Sequence, residues 1–590
     1  MSSAHELMTR WPALDVAAKR ARLQQSLQVS AGLVDAIKSS AATADRAAVG
    51  LWRADPSVWS PEPARQKAIA DRLGWMPSPL LMADSIDRLE TFGAGIKARG
   101  FTDVLLLGMG GSSLAPEVLR AVIGVAPGWP RFHMLDSTDP AAVRAAATPP
   151  ASTLYVLSSK SGTTIEPNSL AAHFRQQIEQ AGITTWADHF VAITDEGTAL
   201  DRHARDERFR DLFINPSDIG GRYSALSFFG MVPAALMGQN VGEIIGWALA
   251  MLAVAEPGGT AAIANPAVAL GLVMGAGARA GRDKLTLVAP PLLDAFGLWV
   301  EQLIAESTGK NGTGIVPIAG EPLADPASYG GDRLFVQMRV HDAAGEEDRD
   351  AGVRALKAAR APVVEIVLPT PLALGAEFMR WEIATAVAGA ILTIDPFDQP
   401  NVQQAKDATN LLLAEYKMKG RLPIAKPDSE LDGIALTLTT AARAALPGAG
   451  GDALLKLLHA GDYFALLAYL GPDPALAEEL HRLRRVVRDR ARVATMFAYG
   501  PRYLHSTGQL HKGGPNSGVF VLISAAPAVD VPIPGQTFSF GTLELAQAIG
   551  DFASLEAAGR RAVHAHLPSQ DPALLRALAT ALLKALPGSG

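Results

Sequence analysis

Two short segments combine glycines and hydroxyls at points where an apolar run gives way to a helix-like pattern. Gly108-Met-Gly-Gly-Ser-Ser113 is the first. Small residues there allow close backbone approach, and the opening amides of the following helix point outward unsatisfied, which suits an anion. Ser159-Lys-Ser-Gly-Thr-Thr164 is the second, with hydroxyls at Ser159, Ser161, Thr163 and Thr164 and a cation at Lys160. Hydroxyls and backbone amides together suit a phosphate monoester, which offers three acceptor oxygens. Glu166 and Pro167 then open a helix in the expected manner. A Walker loop does not fit, because no Gly-Lys-Ser/Thr closes the segment. A dinucleotide site is suggested by Asp136, at the end of the next strand, but the third glycine of that fingerprint is missing. Each loop taken singly also reads as a tight turn or a Ser/Thr helix cap. Two such loops at strand ends in one sheet point to a single crevice for a small phosphorylated ligand.

The elements that must position these loops are short apolar strands alternating with helices. Strands are expected at 103–108, 131–136, 153–158 and 189–194, with helices at 114–122 and 166–181. The pattern restarts near residue 262: a helix over 267–280, strands at 283–289, 334–340 and 363–368, and a helix over 375–391. This is an α/β fold with parallel sheets covered on both faces. Five regions are expected. They are an N-terminal helical segment (1–95), a first α/β domain (96–260), a second (261–410), a helical insertion (411–495), and a C-terminal segment (496–590) that completes the second domain with one strand at 518–524.

Composition narrows the function. Of 590 residues, 48% are apolar and 19% charged, which is globular. The chain has no cysteine, so thiol catalysis and Cys-ligated metals are excluded. A net charge of −6 without a basic block argues against nucleic acid. The uncharged stretch 223–242 contains Pro233, Gln239 and Asn240 and reads as buried helices rather than a membrane span. The N-terminus has no basic-then-apolar signal pattern, and a cytoplasmic location is expected. The 12 histidines are scattered without a ligand motif, so neither metal nor cofactor is expected.

Further motifs join the two loops: Gly220-Gly-Arg-Tyr-Ser224, Gln302…Glu306-Ser-Thr-Gly-Lys310, Phe397-Asp-Gln-Pro-Asn-Val402…Lys406 and Leu504-His-Ser-Thr-Gly-Gln509. Together they resemble the glucose-6-phosphate isomerase family, and most of all the isomerase portion of transaldolase–isomerase fusion proteins, over about residues 95–410 and 495–565. The resemblance implies two sugar-isomerase (SIS) type three-layer αβα domains, with extra helical segments at either end. It implies that Ser159, Ser161 and Thr164 bind the sugar phosphate with the amides of Lys160 and Ser161 assisting, that Thr163 belongs to the same binding loop, and that Gly111 and Ser112 line the same pocket. Glu306 is similar to the family's proton-shuttling base, with Gln302 one turn earlier. Arg222 resembles the arginine beside the enediol, and His505 and Lys406 the pair that opens the sugar ring. A homodimer with the histidine contributed by the neighbouring subunit is also implied, as is a transaldolase domain linked to related proteins. Two departures stand out. Asn and Gln occupy positions in 397–406 where the family more often has Gly and Glu, and the His-Ser-x-Gly-Gln element follows the Phe-Asp-Gln helix instead of preceding it. His511 is therefore a rival to His505.

The residue types fit the implied reaction. Moving one proton between adjacent carbons needs a single carboxylate on one face of a cis-enediol. A cation that stays protonated offsets the charge on the substrate oxygens. Ring opening needs a base near neutral pKa and an acid. Singly, each residue has a plainer reading: Glu306 a surface glutamate, Arg222 a partner of Asp218, His505 a loop histidine, Lys406 a helix-surface cation. The whole set favours glucose 6-phosphate/fructose 6-phosphate isomerisation. The alternatives are a non-catalytic sugar-phosphate-binding module of the same fold and a nucleotide-cofactor oxidoreductase.

Overall fold

The computed structural model describes residues 1–23, 26–30, 33–258, 261–341 and 343–586. After N-terminal helices that include one short strand, β1 (Leu27–Val29), the chain builds β2 (Asp103–Gly108), β3 (Arg131–Leu135), β4 (Thr153–Ser158), β5 (Phe190–Asp195) and β6 (Asp211–Asn215). These form an all-parallel sheet in the order β3-β2-β4-β5-β6. Every residue of β2 and β4 is buried, which is why both read as unbroken apolar runs. The register pairs Gly108 with Ser158, so the two loops leave the sheet side by side.

The second unit contains β7 (Lys284–Val288), β8 (Val316–Ile318), β9 (Arg333–Val340) and β10 (Val363–Leu368), in the order β1-β10-β9-β7-β8. Here β1 pairs antiparallel with β10, so the N-terminal segment, otherwise helical, extends this sheet.

The rest of the chain corrects the expected organisation. The stretch 411–495 is not a helical insertion. Helices Val402–Lys419 and Pro474–Ala491 flank three strands, β11 (Ser429–Leu431), β12 (Ile434–Leu438) and β13 (Tyr463–Tyr469). Downstream come β14 (Ala494–Tyr499), β15 (Gly518–Ala525) and β16 (Arg561–Leu567), where one strand was expected. All six join a third sheet, β11-β12-β16-β15-β13-β14, and none pairs with the second. The physical signals are there: 463–469 is a short, wholly buried apolar run, and 434–438 alternates buried and half-buried residues.

The three sheets wind alike. In each, a central strand (β2, β7 or β13) is followed by a neighbour on one side (β3, β8, β14), then by strands on the other (β4 and β5, β9 and β10, β15 and β16). The units interlock. Helix Phe540–Ala557 of the third unit packs Phe540, Leu543 and Ala546 into one core with Leu105, Leu107, Tyr155 and Leu157 of the first sheet. The stretch 223–242 is divided between helices Phe228–Leu236 and Val241–Ala255. Among the described residues no helix is long and apolar enough to cross a membrane.

Candidate active site

At the carboxyl ends of β2, β4 and β5 lies a cavity of about 520 Å³. It is lined by Gly111, Ser112, Ser159, Lys160, Ser161 and Thr164 of the first unit, by Gln302 and Glu306 of helix Asp294–Thr308, and by Arg222, Lys406 and His505. Of the twelve residues expected at the site, Thr163 stays outside the lining. It is exposed, and its hydroxyl donates to Ser161 Oγ at 3.2 Å. The place is the reversal of strand order, where open α/β sheets leave a crevice.

Steric fit welds the loops around it. Gly110 has φ +55°, a left-handed value open to glycine at low cost, and a Cβ there would lie 2.7 Å from the His505 carbonyl oxygen. A Cβ on Gly111 would lie 1.9 Å from the Gly221 carbonyl oxygen.

At one end of the cavity three hydroxyls converge. Thr164 Oγ1 lies 3.3 Å from Ser159 Oγ and 3.4 Å from Ser161 Oγ. They are weakly engaged with one another and can turn to three oxygens of one anion. The Lys160 side chain does not join them. Its ammonium pairs with Asp195 and donates to the Ser217 carbonyl at 3.0 Å, because Asp195 ends the adjacent strand β5. Burial pushes the Asp195 carboxyl up, and Lys160 opposes this.

At the opposite wall Arg222 is 3% exposed and fully engaged. Nε donates to Ser307 Oγ (2.7 Å), Nη1 to Gln399 Oε1 (2.9 Å), and Nη2 to the carbonyls of Pro396 (2.7 Å) and Asp398 (2.9 Å). Its remaining Nη1 proton faces Glu306, with Nη1 3.3 Å from Oε1. The partner raised from sequence, Asp218, is not among these. Gln302 Nε2 donates to Glu306 Oε2 at 3.2 Å and to the His505 carbonyl at 2.7 Å. The turn that grips Arg222 is itself held by Lys310, whose Nζ donates to the Asp395 carbonyl (2.5 Å) and pairs with Asp398 (2.6 Å). Burial, with the nearby Arg222 charge, brings the Lys310 ammonium down to about 8.

His505 donates from Nε2 to Glu166 Oε1 at 2.9 Å. Burial pushes the Glu166 carboxyl up, but the charge and hydrogen bond of His505, with the Lys406 charge, hold it below the usual range. The rival His511 is 1% exposed, against the rings of Tyr463, Tyr503 and Phe520, and does not line the cavity. Burial drives its imidazole well below the ordinary value, so it is neutral. Asp136, the candidate ribose acid, accepts instead from Ser113 Oγ (3.1 Å) and Arg502 (2.7 Å). Among the described residues no group of three His, Cys, Asp or Glu side chains could hold a metal ion.

Residues 82–311 match the family model described as Phosphoglucose isomerase. This part of the chain is similar to the phosphoglucose isomerases. A glucose-6-phosphate isomerase of Parasynechococcus marenigrum is 34% identical over 267 residues, covering 42% of this chain and 46% of that protein. One from Cyanothece sp. is 27% identical over 428 residues, covering 64% of this chain and 79% of that protein. The chain thus spans less than half the length of the first relative and most of the second. A crystal structure of a hypothetical protein from Thermus thermophilus superimposes with a TM-score of 0.55 at 23% identity, over 66% of this chain and all of that one, a likeness of fold.

Several residues at the cavity escaped the sequence reading. Gln399 lay inside a quoted motif, and Glu166, which stands behind the lining as the partner of His505, read only as a helix opener. Asp195 and Ser217 carried no local signal. Arg72 belongs to the N-terminal segment, which shows no catalytic motif, yet it reaches the hydroxyl-lined end of the cavity beside Ser217, donating to its carbonyl at 3.3 Å.

Proposed function

We propose that the protein interconverts glucose 6-phosphate and fructose 6-phosphate through a cis-enediol. The observation that carries this reading is one cavity holding the converging hydroxyls of Ser159, Ser161 and Thr164 at one end and the Glu306–Arg222 pair, 3.3 Å apart, at the other. The phosphate is gripped by those hydroxyls and the amides of their turn, with Arg72 adding charge at the rim. His505 takes a proton from the ring hydroxyl while Lys406 faces the ring oxygen. Glu306 then removes the C2 proton of the opened aldose and returns it to C1. Arg222 is rigid before substrate arrives, so its stabilisation of the enediolate costs little reorganisation. When Glu306 takes up the carbon-bound proton, its hold on the last Nη1 proton weakens, and that donor becomes available to a substrate oxygen.

His505 lines the cavity from the same chain, so this reading needs no second subunit to complete the site. A homodimer and a transaldolase link in related proteins rest on the resemblance alone, and a cytoplasmic location on the N-terminal pattern.

The test is direct. Purified protein given fructose 6-phosphate, with no added cofactor or metal, should form glucose 6-phosphate. Glu306→Gln should lower kcat by about 10³-fold or more while sugar-phosphate binding by calorimetry is kept. Binding without turnover in the unaltered protein would replace the isomerase with a sugar-phosphate-binding module.

A further inference from the structure

We propose that Gln547 and Thr138 are positioning residues for His505: together they fix the Glu166 carboxylate, which decides which ring nitrogen faces the cavity. The catalytic meaning of this rests on the isomerase reading; the geometry does not.

Glu166 opens helix Ile165–Gln180 and is 3% exposed. Its Oε1 accepts twice, from His505 Nε2 at 2.9 Å and from Gln547 Nε2 at 2.7 Å. Gln547 lies on helix Phe540–Ala557 and is 2% exposed. Its Oε1 accepts at 2.8 Å from the hydroxyl of Thr138, which has no exposure at all. This fixes the amide. A flipped Gln547 would face its oxygen toward the carboxylate and its N–H toward a hydroxyl that must then turn round, leaving buried groups unpaired. Gln547 thereby pins the Glu166 carboxylate against His505; without that pin the carboxylate can turn away and the ring loses its fixed acceptor. A carboxylate only accepts, so His505 donates from Nε2, and in the neutral ring Nδ1 carries the lone pair. Among the described residues Nδ1 has no partner, and His505 borders the cavity. It is the nitrogen free to take a substrate proton.

Other charged and titratable groups surround this line from every side. Lys406 acts on Glu166 from helix Val402–Lys419. Gln302, which holds the His505 carbonyl, also holds Glu306. Arg502, in the same turn as His505, is paired with Asp136. Behind Gln547, the Tyr469 hydroxyl meets its carbonyl at 3.5 Å, and Tyr503 and Lys512 both engage Asp551 at 2.5 Å. None of these touches the Gln547 side-chain amide, so its orientation is set by Thr138.

The full chain carries the test. Nitrogen-15 NMR of labelled histidine, with the His505 signal assigned through His505→Asn, reads the ring tautomer without reference to activity. The unaltered protein should show Nε2–H. Gln547→Leu and Thr138→Val should mix the tautomers and lower kcat on cyclic glucose 6-phosphate about tenfold, with KM within about twofold. Thr138→Ser, which keeps the hydroxyl, should restore both. Should Gln547→Leu fail to fold, the Thr138→Val and Thr138→Ser pair decides alone. A pure Nε2–H tautomer in folded Thr138→Val or Gln547→Leu overturns the proposal. A tautomer shift in a protein without isomerase activity would uphold the positioning and discard the reaction.

Discussion

The first and second units share one winding, yet their crevices differ. In the first, the loops after β2 and β4 are Gly-Met-Gly-Gly-Ser-Ser and Ser-Lys-Ser-Gly-Thr-Thr, and hydroxyls line the cavity. In the second, β7 runs into Ala289-Pro-Pro-Leu292, and the cavity of about 690 Å³ at its end is walled by Pro322, Leu323 and Pro326 with Asp294, Asp325 and Asp348. Prolines remove amide donors, and clustered carboxylates repel a phosphate. Winding supplies a crevice at each strand-order reversal; loop chemistry decides whether an anion is held there. The second unit serves instead through its helix Asp294–Thr308, which reaches across with Gln302 and Glu306. The third serves through the turn Arg502–His505.

The comparison breaks most sharply at Gly111. A Cβ there must push the Gly221 carbonyl, and with it the backbone that carries Arg222. Gly111→Ala should therefore lower kcat/KM by about 10²-fold or more, the usual consequence of misplacing a catalytic group by about 1 Å. Gly331→Ala, just before β9, meets nothing within 4 Å and should leave steady-state kinetics unchanged. Equal losses from the two would show that loop packing in the first unit has no special part in the site. A smaller effect is expected at the hydroxyls. Thr164→Val should raise KM about tenfold with kcat within about threefold, as for one hydrogen bond to a charged ligand. A fall in kcat at constant KM would place Thr164 near the reacting carbons instead.

The first unit was legible because its signals are local. Four strands, the two loops and the helix Leu114–Val122 follow from runs of a dozen residues. Glu306, Arg222 and Lys406 were reached through motifs that mark residue type but not distance. The third unit was misread for a physical reason. Its strands are divided by the long charged helix Pro474–Ala491, whose periodicity dominates that stretch, and two of them, β11 and β12, are short and joined by the two-residue turn Asp432-Gly433. The Thr138–Gln547–Glu166–His505 line could not be read at all. Thr138 and Gln547 are 409 residues apart, and each alone is an ordinary polar side chain. Arg72 is the same case from the N-terminal side.

The least expected effect concerns stability, and it sharpens the contrast between two neighbours on one helix. Gln302 faces the cavity, while Glu301 turns away and accepts the Ala319 amide at 2.9 Å. Burial pushes the Glu301 carboxyl up to about 7, with the Ala319 amide and the Arg484 charge pulling the other way. The unfolded chain binds this proton only below about 4.5. Between those values the folded state holds more protons, so its stability falls as pH rises and the contribution is lost through about pH 7. Glu301→Gln keeps the acceptor and has no proton to lose. Its unfolding free energy should match that of the unaltered protein near pH 4.5 and exceed it at pH 8, by at most about 3.4 kcal/mol, from about 2.5 units at 1.36 kcal/mol each. The proposed isomerase activity at pH 7 should change less than twofold, because the side chain leaves Gln302 in place. Parallel pH-stability curves for the two proteins would remove Glu301 as the titrating group and leave the helix with one working face.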